Sequence, residues 1–223
     1  MKKRKIHSKK YTRQVKTSHY SFDDYLKLER WISYYSQIDE VKRIAKLLNK
    51  QSLKILEIGP GDGIVSNILK SMGMQVITMD IDPSLKPDYV SALPKIDIPD
   101  KEKFDCVLCC EVLEHVQYSD MEESLKIISK ISKYAVLSMP HVSLSLSLSF
   151  KFVYFKTFKY LFSVDLGFRK HKFNGQHYWE IGYRGYSYDG FKRSLRKSGL
   201  KLLKDFRVKD HPWHHFFIVK SNG

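Results

Sequence analysis

The sequence predicts an α/β fold: a three-layer sandwich in which a mostly parallel sheet lies between helices. Three observations carry this reading. From Lys54 onward, apolar runs of strand length (Lys54 to Ile58, Gln75 to Met79, a short one near Tyr89, Phe104 to Cys109, Tyr134 to Ser138) alternate with helical patterns at Ile64 to Met72 and Asp120 to Ile131. Such alternation is the signature of parallel strands joined by crossover helices. A last helix, Tyr188 to Lys197, closes at Gly199 and leads into two further strands, Lys201 to Arg207 and His214 to Val219. The Lys209 to Trp213 segment between those two is too short for a parallel crossover, so they pair antiparallel and complete a seven-stranded sheet. Finally, a glycine-rich turn follows the first strand directly and opens the first crossover helix.

The elements before the sheet are a basic arm and one helix. Lys2 to Lys16 carries eight Lys or Arg and no acid, a large part of the formal net charge of +15. Residues 1–18 are therefore expected to form a disordered solubilising arm able to touch nucleic acid or an anionic membrane surface. An aromatic stretch from Tyr20 to Tyr35 follows, then a helix from Ser36 to Leu48. Its expected start is a capping-box-like pair, Ser36 and Asp39, and its stripe is Val41, Ile44, Ala45 and Leu48. Residues 19–223 suffice for one domain with an ample core: a cofactor half over about 50–141, an insertion over about 142–184, and the terminal helix and hairpin over 185–223. No apolar run approaches the roughly 20 residues needed to span a bilayer, and the N-terminus is too basic for a signal peptide, so a cytoplasmic protein is expected. Cys106, Cys109 and Cys110 cluster in one apolar segment, the pattern of buried reduced thiols and not of disulfides or a four-ligand zinc site.

The turn reads Glu57-Ile58-Gly59-Pro60-Gly61-Asp62-Gly63. Glycine lets the backbone turn tightly and lie against a ligand, which then meets the amides at the helix N-terminus. A dehydrogenase fingerprint would place its third glycine at position 64, where this chain has Ile64. The next strand ends at Asp80-Ile81, about twenty residues on, where a carboxylate can accept both hydroxyls of a ribose.

Glycines alternating at 59, 61 and 63 behind Glu57 resemble motif I of the class I S-adenosylmethionine-dependent methyltransferases, in particular the type 11-like domains. The segment from Phe104-Asp105 to Glu111-Val112-Leu113-Glu114-His115 is similar to a second segment of that family. The likeness spans Lys54 to His141 and, more loosely, the terminal helix and hairpin. It implies a Rossmann-like fold, S-adenosylmethionine as cofactor, and cofactor contacts from Glu57, Gly59, Gly61, Gly63, Asp80, Ile81, Ser91, Ala92, Cys110 and Glu111. Family members often carry Gly-Asp after the third strand, with the Asp on the adenine amine. Here Ser91-Ala92 stands there, which leaves adenine to Ser91 or to backbone groups.

Methyl transfer from a sulfonium asks a protein to align donor and acceptor and, for a hydroxyl acceptor, to remove a proton. His115 is the candidate base; its alternative role is to shape the loop by hydrogen bonding. Glu111, Glu114, His115 and His177 also resemble the metal set of small-RNA 3′-end 2′-O-methyltransferases, so a divalent cation is the less expected second cofactor. In the insertion, apolar residues at 144, 146, 148, 150 and 152 alternate with Ser or Lys, and Lys156, Lys159, Arg169, Lys170 and Lys172 follow. This reads as a half-buried cap that shapes the acceptor pocket, covers the sheet edge or rests on an anionic membrane. A small-molecule or biosynthetic acceptor is the leading expectation. A nucleic-acid acceptor and a non-catalytic cofactor-binding protein are the alternatives.

Overall fold

A computed structural model describes residues 27–222. The basic arm over 1–18 and the first part of the aromatic stretch, residues 20–26, lie outside the described residues. The chain runs α1 (Leu28–Leu48), β1 (Lys54–Ile58), α2 (Ile64–Ser71), β2 (Gln75–Asp80), β3 (Tyr89–Val90), β4 (Phe104–Cys110), α3 (Tyr118–Ile131) and β5 (Ser132–Pro140). After these come β6 (Ser143–Phe150), β7 (Phe158–Asp165), α4 (Tyr188–Lys197), β8 (Leu200–Val208) and β9 (His211–Ser221). Seven strands form one sheet in the order β3-β2-β1-β4-β5-β9-β8. The first five run parallel, and β9 pairs antiparallel with both β5 and β8, as the short terminal connection requires.

Because successive strand residues face opposite sides, each central strand feeds two cores. Ile55, Cys106, Leu108 and Val136 pack with Val41 and Ile44 of α1 and Val65 and Leu69 of α2. Leu56, Val107, Cys109 and Ala135 pack with Met121, Leu125 and Ile128 of α3 and Phe191 and Leu195 of α4. Burial on both faces explains why these strands read as continuous apolar runs. The cysteines are free thiols within this core, and burial pushes Cys106 up to about 12.

Two expectations require correction. The first helix begins at Leu28, not Ser36, and the Ser36 hydroxyl donates to Ile32 O one turn back instead of capping the helix. Its buried face runs Ser33, Tyr34, Gln37, Glu40, Val41, Ile44 and Ala45, with helical spacing throughout. Polar members in its first half hide that spacing from a reading based on apolar residues. The alternating part of the insertion is not half-buried: Ser143 to Asp165 form a separate antiparallel hairpin, β6 with β7, whose alternating apolar residues are exposed, and only the later stretch around His177 to Ile181 is buried.

Candidate functional site

The parallel strands β1 and β4 deliver their carboxyl ends to one cleft of about 300 Å³. On one side lies the turn Gly59–Asp62, where Gly59 and Gly61 hold positive φ of 70° and 56°. Gly59 N donates to Met79 O at 2.8 Å, which sets the turn against the end of β2. A Cβ on Gly59 would lie 2.5 Å from Val112 Cγ2, so only glycine fits where the turn and the β4 loop meet. Gly63 begins α2 with φ 74°, and Asp62 Oδ1 accepts from Ile64 N at 3.0 Å, engaging one of the helix's first amides.

Of the expected cofactor residues, Glu57, Gly59, Gly61, Cys110 and Glu111 line the cleft. Asp80, Ile81, Ser91 and Ala92 lie along the neighbouring strand ends, outside the cleft lining. Asp80 Oδ1 accepts from Asp82 N at 2.8 Å, which orients the carboxylate at the end of β2. The Ser91 hydroxyl turns into its own loop, accepting from Asp97 N at 2.8 Å and donating to Lys95 O at 3.2 Å. Glu57 is buried and accepts from the Ser66 hydroxyl; burial outweighs that bond and raises its pKa to about 7.

Sequence reasoning missed the contribution of α1. Arg30, Ser33, Tyr34 and Gln37 form one wall of the cleft, and Tyr34 OH donates to Asp62 Oδ2 at 2.8 Å, fastening the helix to the glycine turn. Trp213 and His214 of β9 complete the lining. His214 Nδ1 lies 2.9 Å from the Ser33 hydroxyl, and burial followed by the charge of Arg30 lowers its pKa to about 3, so the ring is neutral. The helical run of Ser33, Tyr34 and Gln37 was the available signal for α1.

The opposite side of the cleft carries the Glu111–His115 turn. Glu111 adopts φ 55°, a left-handed conformation uncommon outside glycine and concentrated at functional sites. Its N–H donates to Ser138 O and its Oε1 accepts from the Ser138 hydroxyl, both at 2.9 Å. Three hydrogen bonds stitch the His177 segment to this turn: Tyr178 N to Glu114 O at 2.8 Å, Trp179 Nε1 to Val116 O at 3.0 Å, and His115 Nδ1 to Gln176 O at 3.0 Å. Trp179 is fully buried and anchors the segment in the core.

As a result, ligand atoms of Glu114, His115 and His177 lie within 4.8 Å of one another. His177 Nδ1 meets Glu180 Oε1 at 2.7 Å and His115 Nδ1 meets the Gln176 carbonyl at 3.0 Å, contacts that fix the orientation of each ring. Both carboxylate oxygens of Glu114 are buried without a hydrogen-bond partner. Burial, then the charge of Glu111, push its pKa well above the carboxylate range. An orphaned buried carboxylate beside two oriented imidazoles fits a divalent cation.

A family model described as a methyltransferase domain matches residues 27–205. The ubiquinone biosynthesis O-methyltransferase of Pelagibacter ubique is 33% identical over 95 residues, covering 36% of this chain and 39% of that protein. Among solved structures, the 1,6-didemethyltoxoflavin-N1-methyltransferase of Burkholderia thailandensis, crystallised with 1,6-didemethyltoxoflavin and S-adenosylhomocysteine, aligns with a TM-score of 0.56 at 13% identity. That alignment covers 86% of this chain and 81% of that one. The small RNA methyltransferase HEN1 aligns with a TM-score of 0.55 at 13% identity over 85% of this chain and 25% of that one. These two structures share the fold. The family match takes in α1, the glycine turn, the Glu111–His115 turn and the His177 segment alike, and the chain therefore belongs to the methyltransferase domain family.

Proposed function

We propose that this enzyme methylates a hydroxyl group of a small-molecule biosynthetic intermediate, with a divalent cation held by Glu114, His115 and His177 and joined by Glu111. The observation that carries this reading is the Glu114 carboxylate, fully buried and unpartnered beside two imidazoles at a cofactor-sized cleft. When bound, such a cation polarises an acceptor hydroxyl and lowers its pKa. The protein's own residues do the rest. The glycine turn and Glu57 bind the donor, Asp80 takes its ribose, and adenine falls to backbone groups near Ala92, since the Ser91 hydroxyl is engaged in its loop. Glu180 orients His177, and the Gln176 carbonyl orients His115. His115 borders the cleft, and with Nδ1 on the Gln176 carbonyl its Nε2 is the atom that would hold the cation, so in this reading His115 serves as a ligand and the acceptor proton leaves to solvent. The O-methyltransferase relative from Pelagibacter ubique supports an oxygen acceptor.

A ribose diol of RNA is the second reading, favoured by the likeness of the same four residues to the small-RNA 2′-O-methyltransferase set. Salt-sensitive binding of a single-stranded RNA would support it over the first.

The test is titration of the full chain with Mn²⁺, followed by turnover over a panel of hydroxyl acceptors with and without chelator. Binding should release protons and strengthen as pH rises, because the raised carboxyl must first ionise. Glu114→Gln should abolish Mn²⁺ binding and leave affinity for S-adenosylhomocysteine intact. Absence of Mn²⁺ binding, or turnover indifferent to chelation, refutes the metal assignment.

A further inference from the structure

The β6–β7 hairpin is an arm, a two-stranded sheet separate from the main one, with an uncovered apolar face. Its register pairs Leu144 with Val164, Leu146 with Phe162, Leu148 with Tyr160 and Phe150 with Phe158, so eight apolar side chains share one side. All eight are exposed. At ~3.3 Å per residue, strands of eight residues carry the tip roughly 26 Å along the arm. There Phe152, Val153, Tyr154 and Phe155 stand consecutively exposed, Val153 at 86% and Tyr154 at 95%, flanked by Lys151 and Lys156. A two-stranded hairpin is marginally stable in water, and contiguous apolar surface of this kind marks an interaction site.

Charge identifies what covers it. Between Phe150 and Lys172 the chain carries six Lys or Arg and a single acid, Asp165. That acid is held at the arm's root by His141 Nε2 at 2.8 Å, and at the tip end of β7 Lys159 pairs with Asp210 of the β8–β9 turn at 2.5 Å. Lys151 and Lys156 at the tip carry long apolar stems that can lie along a hydrocarbon boundary while their ammonium groups stay at phosphate level. No helix among the described residues is long and apolar enough to cross a membrane.

We propose that the β6–β7 arm docks the enzyme on an anionic phospholipid bilayer, with the tip from Phe152 to Phe155 entering the headgroup boundary and Lys151 and Lys156 pairing with lipid phosphates. The arm springs from the end of β5, and His141 N donates to Trp213 O at 2.8 Å, which joins its root to the strand lining the cleft. Docking therefore holds the cleft near the membrane surface and presents amphiphilic acceptors to it.

The experiment is co-sedimentation of the full chain with vesicles of phosphatidylglycerol and phosphatidylcholine in equal parts, and with phosphatidylcholine alone. Two variants, Val153→Ser with Phe155→Ser and Lys151→Gln with Lys156→Gln, accompany the wild type, and S-adenosylhomocysteine binding checks their fold. Binding should require phosphatidylglycerol and fall about tenfold in each variant. Three results overturn the proposal: no pelleting of the wild type, equal pelleting of the serine variant through another surface, or a solution dimer that the serine variant dissociates, which would assign the face to a second copy.

Discussion

Glu57 gives the fold a measurable pH dependence. Its carboxyl is buried at the end of β1, and burial raises its pKa from 4.5 to about 7. The native state therefore holds this proton more tightly than the unfolded chain does. Stability from this group is intact below pH 4.5, declines as the unfolded carboxyl ionises, and is fully lost once pH passes 7. At ~1.36 kcal/mol per pH unit, the loss is about 3 kcal/mol. Glu57→Gln preserves size and an acceptor for the Ser66 hydroxyl but removes the titration. Urea denaturation of wild type and variant from pH 4.5 to pH 8 should give curves that diverge by about 3 kcal/mol in favour of the variant. In thermal melts that corresponds to roughly 6–12 °C for a chain of this length. Parallel pH profiles would refute the reasoning, because the proton would then be held no more tightly in the native state than in the unfolded one.

Two further perturbations probe the cleft walls. Gly59→Ala adds a Cβ at 2.5 Å from Val112 Cγ2 in a left-handed residue, and should cost about 3 kcal/mol by denaturation; Val112→Ala should restore only the packing part, leaving the backbone penalty. Tyr34→Phe removes the bond that fastens α1 to Asp62, and calorimetry with S-adenosylhomocysteine should show about fivefold weaker binding for ~1 kcal/mol lost, whereas unchanged affinity would show that this wall closes without the tether.

The sheet, the order of its elements and the glycine turn were legible in the sequence. Strands buried on both faces must be apolar at nearly every position, so Ile55, Leu56, Val107 and Leu108 announce themselves locally. The positive φ of Gly59 and Gly61 likewise falls where the residue type permits it. The terminal hairpin followed from a connection too short to cross over. Local pattern failed in α1, where a face begun by Ser33, Tyr34 and Gln37 contains too few apolar residues to advertise a helix, and its burial depends on β9 and the turn. It failed again in the insertion. Alternation of Leu and Ser specifies a strand with one apolar face, but whether protein covers that face is a property of what packs against it, and here nothing in the described chain does.

The site divides in the same way. Glu114 and His115 are neighbours in sequence, while His177 lies 62 residues beyond His115 and reaches them only because Trp179 is buried under the Glu111–Val116 turn. Residue types can propose such a set. Only the tertiary structure could bring its members within 4.8 Å, strip Glu114 of hydrogen-bond partners and orient both imidazoles, because those facts depend on contacts between segments that sequence spacing does not encode.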